Sequence, residues 1–251
     1  MLTVERHALI LDRLDRDKRV LAKDLAHELG TSEDTIRRDL RELAAQDRLV
    51  RVYGGAVPVA AAASDYRTRT DLEPGSKARV AARALALVEP GSTVILDGGT
   101  TTLALASSLP DTLPCTVITH SPTIAVALVA KPLVDVHLIG GRLFRHSVVT
   151  CGAAAVEAAA GLSADVFLAG VTGVHPHEGL TTGDADEAAM KRALSARAGE
   201  TYVLASREKV GAVSRFRVFT PGQVTGVVSD VPADSTIVQE LAAAGMRLLP
   251  S

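Results

Sequence analysis

Two short runs of this chain carry side chains whose types and spacing suit chemistry with phosphate. In the first, Arg37, Arg38 and Arg41 fall with Asp34 on one side of a helical wheel. Ile36, Leu40 and Leu43 lie within roughly 60° of one another on the other side, at about 100° per residue. A guanidinium row opposite a core face can grip phosphate, or read guanine O6 and N7 through paired hydrogen bonds. The second run is Asp97-Gly98-Gly99-Thr100-Thr101-Thr102. Its two glycines allow close backbone approach, three hydroxyls follow, and a helix starts at once. The free amides and dipole of such an N-terminus make a phosphate cradle. It is neither a Walker loop, lacking Gly-Lys-Ser/Thr, nor a full GxGxxG.

The elements around the arginine row read as a helix-turn-helix with a wing. Leu21, Leu25 and Leu29 recur at helical spacing and Gly30 supplies a left-handed stop. Thr31-Ser32 offers an N-cap, and Glu33-Asp34 put carboxylates in the first turn. Arg48–Tyr53 alternates like a strand, Gly54-Gly55 is a two-residue hairpin signal, and Ala56–Val59 returns. Arg48, Arg51 and Tyr53 ride on this hairpin.

The run Ser32-Glu33-Asp34-Thr35-Ile36-Arg37-Arg38-Asp39-Leu40-Arg41-Glu42-Leu43, followed by Arg51-Val52-Tyr53-Gly54-Gly55-Ala56, resembles the N-terminal signature of DeoR-type bacterial transcriptional repressors. The resemblance implies that Ser32, Thr35, Arg37 and Arg38 reach double-stranded operator DNA, with Arg41 and the wing residues Arg51 and Tyr53 in support.

Composition bounds the rest. The formal net charge is −2, and residues 1–59 hold 11 Lys+Arg against 11 Asp+Glu. DNA binding therefore rests on where charge is placed, and a neutral domain is expected to depend on pairing and base contacts for affinity. Cys115 and Cys151, the only cysteines, suggest no disulfide framework and fit buried small hydrophobes. The first six residues include charges, and no apolar run approaches the ~20 residues of a membrane span. A soluble cytoplasmic protein is expected.

Three units are expected: a winged helix at 1–59, a linker at 60–75 and an α/β domain at 76–251. Ser76 would cap a helix through Val88. Beyond it, short apolar runs (Val94–Leu96, Val117-Ile118, Val136–Ile139, Val166–Leu168, Tyr202–Leu204, Val227-Val228, Met246–Leu249) are spaced by helical segments. That pattern predicts βαβ units in a mostly parallel sheet, with ligands beyond the strand ends. The loops there carry Thr119-His120-Ser121, Gly140-Gly141-Arg142, Gly179–Asp184 and Lys209. Arg142 and Lys191 each fit solvated surface better than ligand contact. His175 and His177 flank Pro176 in what reads as a solvated loop with no third metal ligand at recognisable spacing. His7 and His27 are expected on the surface.

The Asp97–Thr102 loop, Gly140-Gly141, Gly179–Thr182 with Glu187 and Lys191, and Lys209-Val210-Gly211 resemble the sensor domain of the same family, related in fold to ribose-5-phosphate isomerase and glucosamine-6-phosphate deaminase. The resemblance implies that Gly98, Gly99, Thr100 and Thr101 hold phosphate and that Lys209 meets a phosphorylated sugar. Asp97, Thr102, His120, Gly141, Arg142 and Glu187 complete the expected effector site. His120 stands where the family has asparagine, and Ser206-Arg207-Glu208 stand where it has Asp-Ser-Ser. Around Val171-Thr172-Gly173 no carboxylate stands where the isomerases place acids. The expectation is therefore a homo-oligomeric repressor of carbohydrate genes with a phosphosugar effector, no cofactor, no metal and no catalytic residue. The alternative is a sugar-phosphate isomerase or deaminase with an appended DNA-binding domain.

Overall fold

The computed structural model describes residues 1–17 and 19–249, so the last two residues of the expected second domain lie outside it. The N-terminal unit packs α1 (Thr3–Asp17), α2 (Ala22–Glu28) and α3 (Glu33–Ala45) around Ile10, Leu14, Leu25, Ile36, Leu40 and Leu43. Ser32 caps α3 by accepting from the Thr35 amide at 3.2 Å, and Gly30 takes φ +60° between the helices. The wing is three-stranded: β1 (Val20–Leu21), β2 (Val50–Val52) and β3 (Gly55–Val57), in the order β1-β3-β2. Leu21 therefore belongs to a strand rather than to the helix expected there. The hairpin turn is Tyr53-Gly54, one residue earlier than the diglycine suggests. Gly55 lies inside β3, paired with Leu21, and must be glycine because a Cβ there would lie 1.8 Å from the Val20 carbonyl oxygen.

The expected linker is built structure. A 3-10 turn at Ala61–Ala63 precedes α4 (Tyr66–Asp71), and α5 (Pro74–Ala84) starts behind Glu73, not Ser76. Ser76 is buried, its hydroxyl on the Asp230 carboxylate at 2.5 Å.

The second unit alternates β4 (Thr93–Leu96), α6 (Thr100–Ser108), β5 (Cys115–Thr119), α7 (Pro122–Leu128) and β6 (Val134–Leu138). A hairpin of β7 (Arg142–Phe144) and β8 (Val149–Cys151) leads to α8 (Ala153–Ala160) and β9 (Ala164–Gly170). Then come β10 (Gly173–His175), β11 (Gly179–Thr182), α9 (Ala185–Ser195), β12 (Ala198–Ala205), β13 (Phe216–Phe219), β14 (Gly226–Ser229) and α10 (Thr236–Ala243). Six strands form one wholly parallel sheet in the order β14-β12-β9-β4-β5-β6. Apolar layers cover both faces, one around Phe167, Met190 and Val203, the other around Leu96, Leu105 and Leu168. Gly179–Thr182, expected as a loop, pairs antiparallel with β10 and β13. Met246–Leu249 forms no strand, only a bridge from Leu248 to Val227.

Candidate functional site

The first candidate surface is α3 and the wing. Arg37, Arg38, Arg41 and Arg51 are exposed, and Tyr53 at the hairpin turn is 94% exposed. Ser32 and Thr35 stand at the α3 N-terminus with their hydroxyls 2.9 Å apart. Arg37 is held by Glu33 at 2.7 Å, while Arg38 and Arg41 have no ion-pair partner among the described residues. One acid on α3 points inward. Asp39 is buried and takes two hydrogen bonds from Arg6 on α1, at 2.5 and 2.9 Å, with His7 Nε2 at 3.2 Å. Burial alone would raise its carboxyl; the Arg6 guanidinium outweighs that and holds it below the usual range. His7 is thus half-buried rather than free on the surface. His7, Asp39 and Glu42 bring ligand-type atoms within 4.8 Å of one another, but Arg6 already occupies both Asp39 oxygens, so this cluster reads as a lock between α1 and α3. Asp39 falls between Ile36 and Leu40 on the wheel, and that inward position is a signal the sequence carried.

The second candidate site is a narrow cleft at the carboxyl ends of β4, β9 and β12. Gly98, Gly99 and Thr100 form one wall, Thr182, Glu187 and Lys191 another, and Lys209 with Glu208 a third. The first amides of α6 have no intrahelical acceptor and face this space. Lys209 Nζ is buried and donates to Thr101 Oγ1 at 3.1 Å. Burial pushes its ammonium down to about 8, with Arg69, Lys77 and Lys191 adding repulsion that Glu208 opposes.

Beneath the wall is a buried ionic support. Asp97 accepts from Lys191 Nζ at 2.5 Å, from His120 Nε2 at 2.7 Å, and from the amides of Gly170 at 2.7 Å and Gly98 at 2.9 Å. Burial would raise its carboxyl, but the Lys191 charge and the His120 ring outweigh it and hold it well below the ordinary carboxylate range. Lys191 also pairs with Glu187 at 3.3 Å, and Glu187 accepts from the Thr182 hydroxyl at 2.9 Å. His120 Nδ1 lies 2.8 Å from the Thr150 carbonyl.

This geometry sorts the expected effector residues. Gly98, Gly99, Thr100, Glu187 and Lys209 line the cleft, and Thr101 touches Lys209. Asp97 and His120 are fully buried with every side-chain nitrogen and oxygen engaged by protein, so they brace the loop and do not face the cleft. Thr102 is also buried, its hydroxyl donating to the Gly99 carbonyl at 2.9 Å. Gly141 and Arg142 lie away from the cleft: Arg142 starts β7, largely exposed, with Asp186 at 3.2 Å. Lys191, where solvated surface is expected, is 1% exposed. Its i, i+4 relation to Glu187, on the same stripe as Leu194, carried that signal. His175, expected in a solvated loop, is buried at the end of β10 and accepts from two amides through Nδ1.

Three further groups line the cleft, and only Glu208, in the Ser206-Arg207-Glu208 run that departs from the family pattern, had a signal in the sequence. Arg69 of α4 reaches in with Nε buried and unbonded, its Nη2 on the His146 carbonyl at 2.9 Å. Lys77 Nζ ties the Arg69 and Leu72 carbonyls together, fixing α4 to α5. Glu208 gives one oxygen to the Ser206 hydroxyl at 2.6 Å and leaves Oε2 buried without a partner. The cleft thus gathers Arg69, Lys77, Lys191 and Lys209 against Glu187 and Glu208, and two of these residues hold a buried polar atom without a partner, Arg69 Nε and Glu208 Oε2. Among the described residues no helix is long and apolar enough to cross a membrane.

Two family descriptions match the chain: "DeoR-like helix-turn-helix domain" over residues 6–61 and "DeoR C terminal sensor domain" over residues 73–231. The Bacillus subtilis (strain 168) "Uncharacterized HTH-type transcriptional regulator FruR" is 35% identical over 236 residues, 92% of each chain. The "HTH-type transcriptional repressor GlcR" of the same strain is 30% identical over 247 residues, 98% of this chain and 95% of that one. Among solved structures, ribose 5-phosphate isomerase A from Methanocaldococcus jannaschii aligns at a TM-score of 0.40 and 17% identity, over 53% of this chain and 52% of the other, a likeness too slight to carry an argument.

Proposed function

Because the chain belongs to the DeoR family of helix-turn-helix transcriptional regulators, we propose that it represses carbohydrate genes and that a phosphorylated sugar in the β4–β9–β12 cleft sets its hold on operator DNA. One observation carries this reading: Lys209, Arg69 and the free amides of α6 converge on a cleft that is also lined by Ala62, in the segment leaving the wing. Crowded cations with a buried, unbonded guanidinium nitrogen are unfavourable when the cleft is empty, and an anion relieves them. Phosphate would take the α6 amides, Thr100, Lys209 and Arg69. The unpaired Glu208 oxygen would accept from a sugar hydroxyl, giving selectivity for a phosphosugar over bare phosphate.

On the DNA side, Arg38 and Arg41 would enter the major groove with Ser32 and Thr35 at its edge, and Arg51 and Tyr53 would meet the adjacent backbone. The effector shifts operator affinity only if it binds the two conformations unequally. Arg69 supplies that inequality, because it can meet the anion only while α4 is seated over the cleft.

The test is a thermal-shift screen against phosphosugars and their unphosphorylated parents, followed by titration of each hit into DNA selected from a random pool by this protein. A specific ligand at a hundredfold excess over its Kd stabilises by about 2.7 kcal/mol. A phosphosugar that raises the melting temperature, where its parent sugar does not, and that changes the DNA affinity is the expected result. Stabilisation without any change in DNA affinity would overturn the coupling. No response from any phosphosugar would overturn the effector class.

A further inference from the structure

Strand β6 is the uncovered edge of the parallel sheet, and its ladder fixes which groups face outward. The Leu133 carbonyl accepts from the Cys115 amide at 3.3 Å, and the Ile139 amide donates to the Thr119 carbonyl at 2.8 Å. In a parallel ladder the N–H and C=O of one residue point the same way and alternate along the strand. Residues 133, 135, 137 and 139 therefore turn their backbone toward β5, and Val134, Val136 and Leu138 turn theirs outward. The Val134 amide is taken by the Lys131 carbonyl at 3.1 Å, which leaves Val136 and Leu138 as open donor–acceptor pairs. No bulge and no proline interrupts Val134–Leu138. Folded proteins rarely leave such an edge bare.

The side chains along this edge are complementary to a second copy of themselves. A two-fold axis at Val136 pairs it with its own mate in antiparallel register, each exchanging N–H and C=O with the other. Asp135 then stands opposite the mate's His137, and Val134 opposite the mate's Leu138, each pair occurring twice. A carboxylate meets an imidazole on one face, and aliphatic side chains meet on the other. Asp135 and His137 have no hydrogen bond or ion pair within the chain among the described residues. On the aliphatic face Leu138 is about half exposed, and α7 with its C-cap adds Val126 at 72% and Val129 at 83% exposed.

We infer that β6 is the homodimer interface of this protein, formed by antiparallel β6–β6 pairing about Val136 with α7 flanking it, so that two sheets join into one of twelve strands. The inference stands on the edge strand and does not depend on the proposed effector or operator.

The experiment is sedimentation of the full chain between about 1 and 50 µM, with circular dichroism checking the fold of each variant. The wild type should associate. His137→Glu places like charges opposite each other twice and should weaken association about tenfold or more. Asp135→Lys combined with His137→Glu should restore it. Val136→Cys should oxidise to a covalent dimer, because directly paired residues of this kind have Cα atoms about 5.5 Å apart, within disulfide reach. Cys115 and Cys151 are buried and do not compete. A monomeric wild type at 50 µM would overturn the proposal. So would a folded His137→Glu variant that associates normally, or a double variant that fails to recover, since either puts the contact elsewhere. Neither result bears on effector binding, which is read by melting temperature.

Discussion

Lys209 carries the sharpest single-residue test. Its ammonium is buried with one hydroxyl partner, and burial lowers it from the ordinary 10.5 to about 8. Between about pH 8 and 10.5 the unfolded chain holds a proton that the folded chain has released, so this residue makes stability rise with pH across that window. Lys209→Met removes the buried charge. It should stabilise the ligand-free protein at pH 7, on the order of 3 kcal/mol at most, and flatten the alkaline rise measured by denaturant melts. The same variant should lose the stabilisation that a phosphosugar gives. In the wild type, an anion favours the ammonium, so its affinity should fall by up to tenfold per pH unit above about 8, read by calorimetry with proton uptake in that range. A structural lysine would show neither the stabilised variant nor this pH slope. Asp97 behaves oppositely. With four donors aimed at it, Asp97→Asn leaves Lys191 short of a buried counter-charge and the other donors short of an acceptor, and should cost about 3–5 kcal/mol in a urea melt.

At the scale of elements, the phosphate loop depends on close approach. A Cβ on Gly170 would lie 2.8 Å from the Gly98 carbonyl oxygen, and one on Gly98 2.0 Å from a Val149 methyl. Gly170→Ala should cost about 1–3 kcal/mol and weaken phosphosugar binding together with stability, since it displaces the loop that Asp97 braces. How much of this was legible follows from where each constraint originates. The α3 helix could be read because its cap, acidic first turn and apolar stripe lie within one continuous run, residues 32–45. The hairpin turn slipped by one residue because Gly55 is demanded by the Val20 carbonyl, a contact absent from the local sequence. Strand β11 read as a loop because its polar, glycine-flanked run lacks alternation and one of its two partners, β13, arrives more than thirty residues later. Arg69 was invisible as a cleft residue for the same reason, since the groups that it faces are brought there only by the folded sheet. Asp97 and His120 were both expected in the effector site; a structural hydrogen bond for His120 fitted the sequence equally well, but its partner could not be read because Asp97 and His120 meet only across two neighbouring strand ends.

At the scale of the molecule, the cleft and the winged helix are joined by a short path. Val59 bridges Val213, and the turn Ala61–Ala63 packs against the turn Arg207–Lys209 that carries the cleft lysine. Asp47, at the end of α3, pairs with Arg215 across the same junction. Both partners of that ion pair are more than half exposed, so it contributes little to stability. Its place between the recognition helix and the sensor makes it a lever on their relative position. Arg215→Glu sets a carboxylate against Asp47 and touches nothing in the cleft. The melting temperature gained with a phosphosugar should therefore be unchanged. The ratio of DNA affinities with and without that phosphosugar should fall by up to about fivefold, the scale of a 1 kcal/mol surface interaction. Anisotropy titrations at fixed salt measure that ratio directly, and fixed salt matters because phosphate contacts make every DNA affinity salt-dependent. An unchanged ratio would place the coupling in the Val59–Ala63 segment alone, where Ala62 touches the cleft.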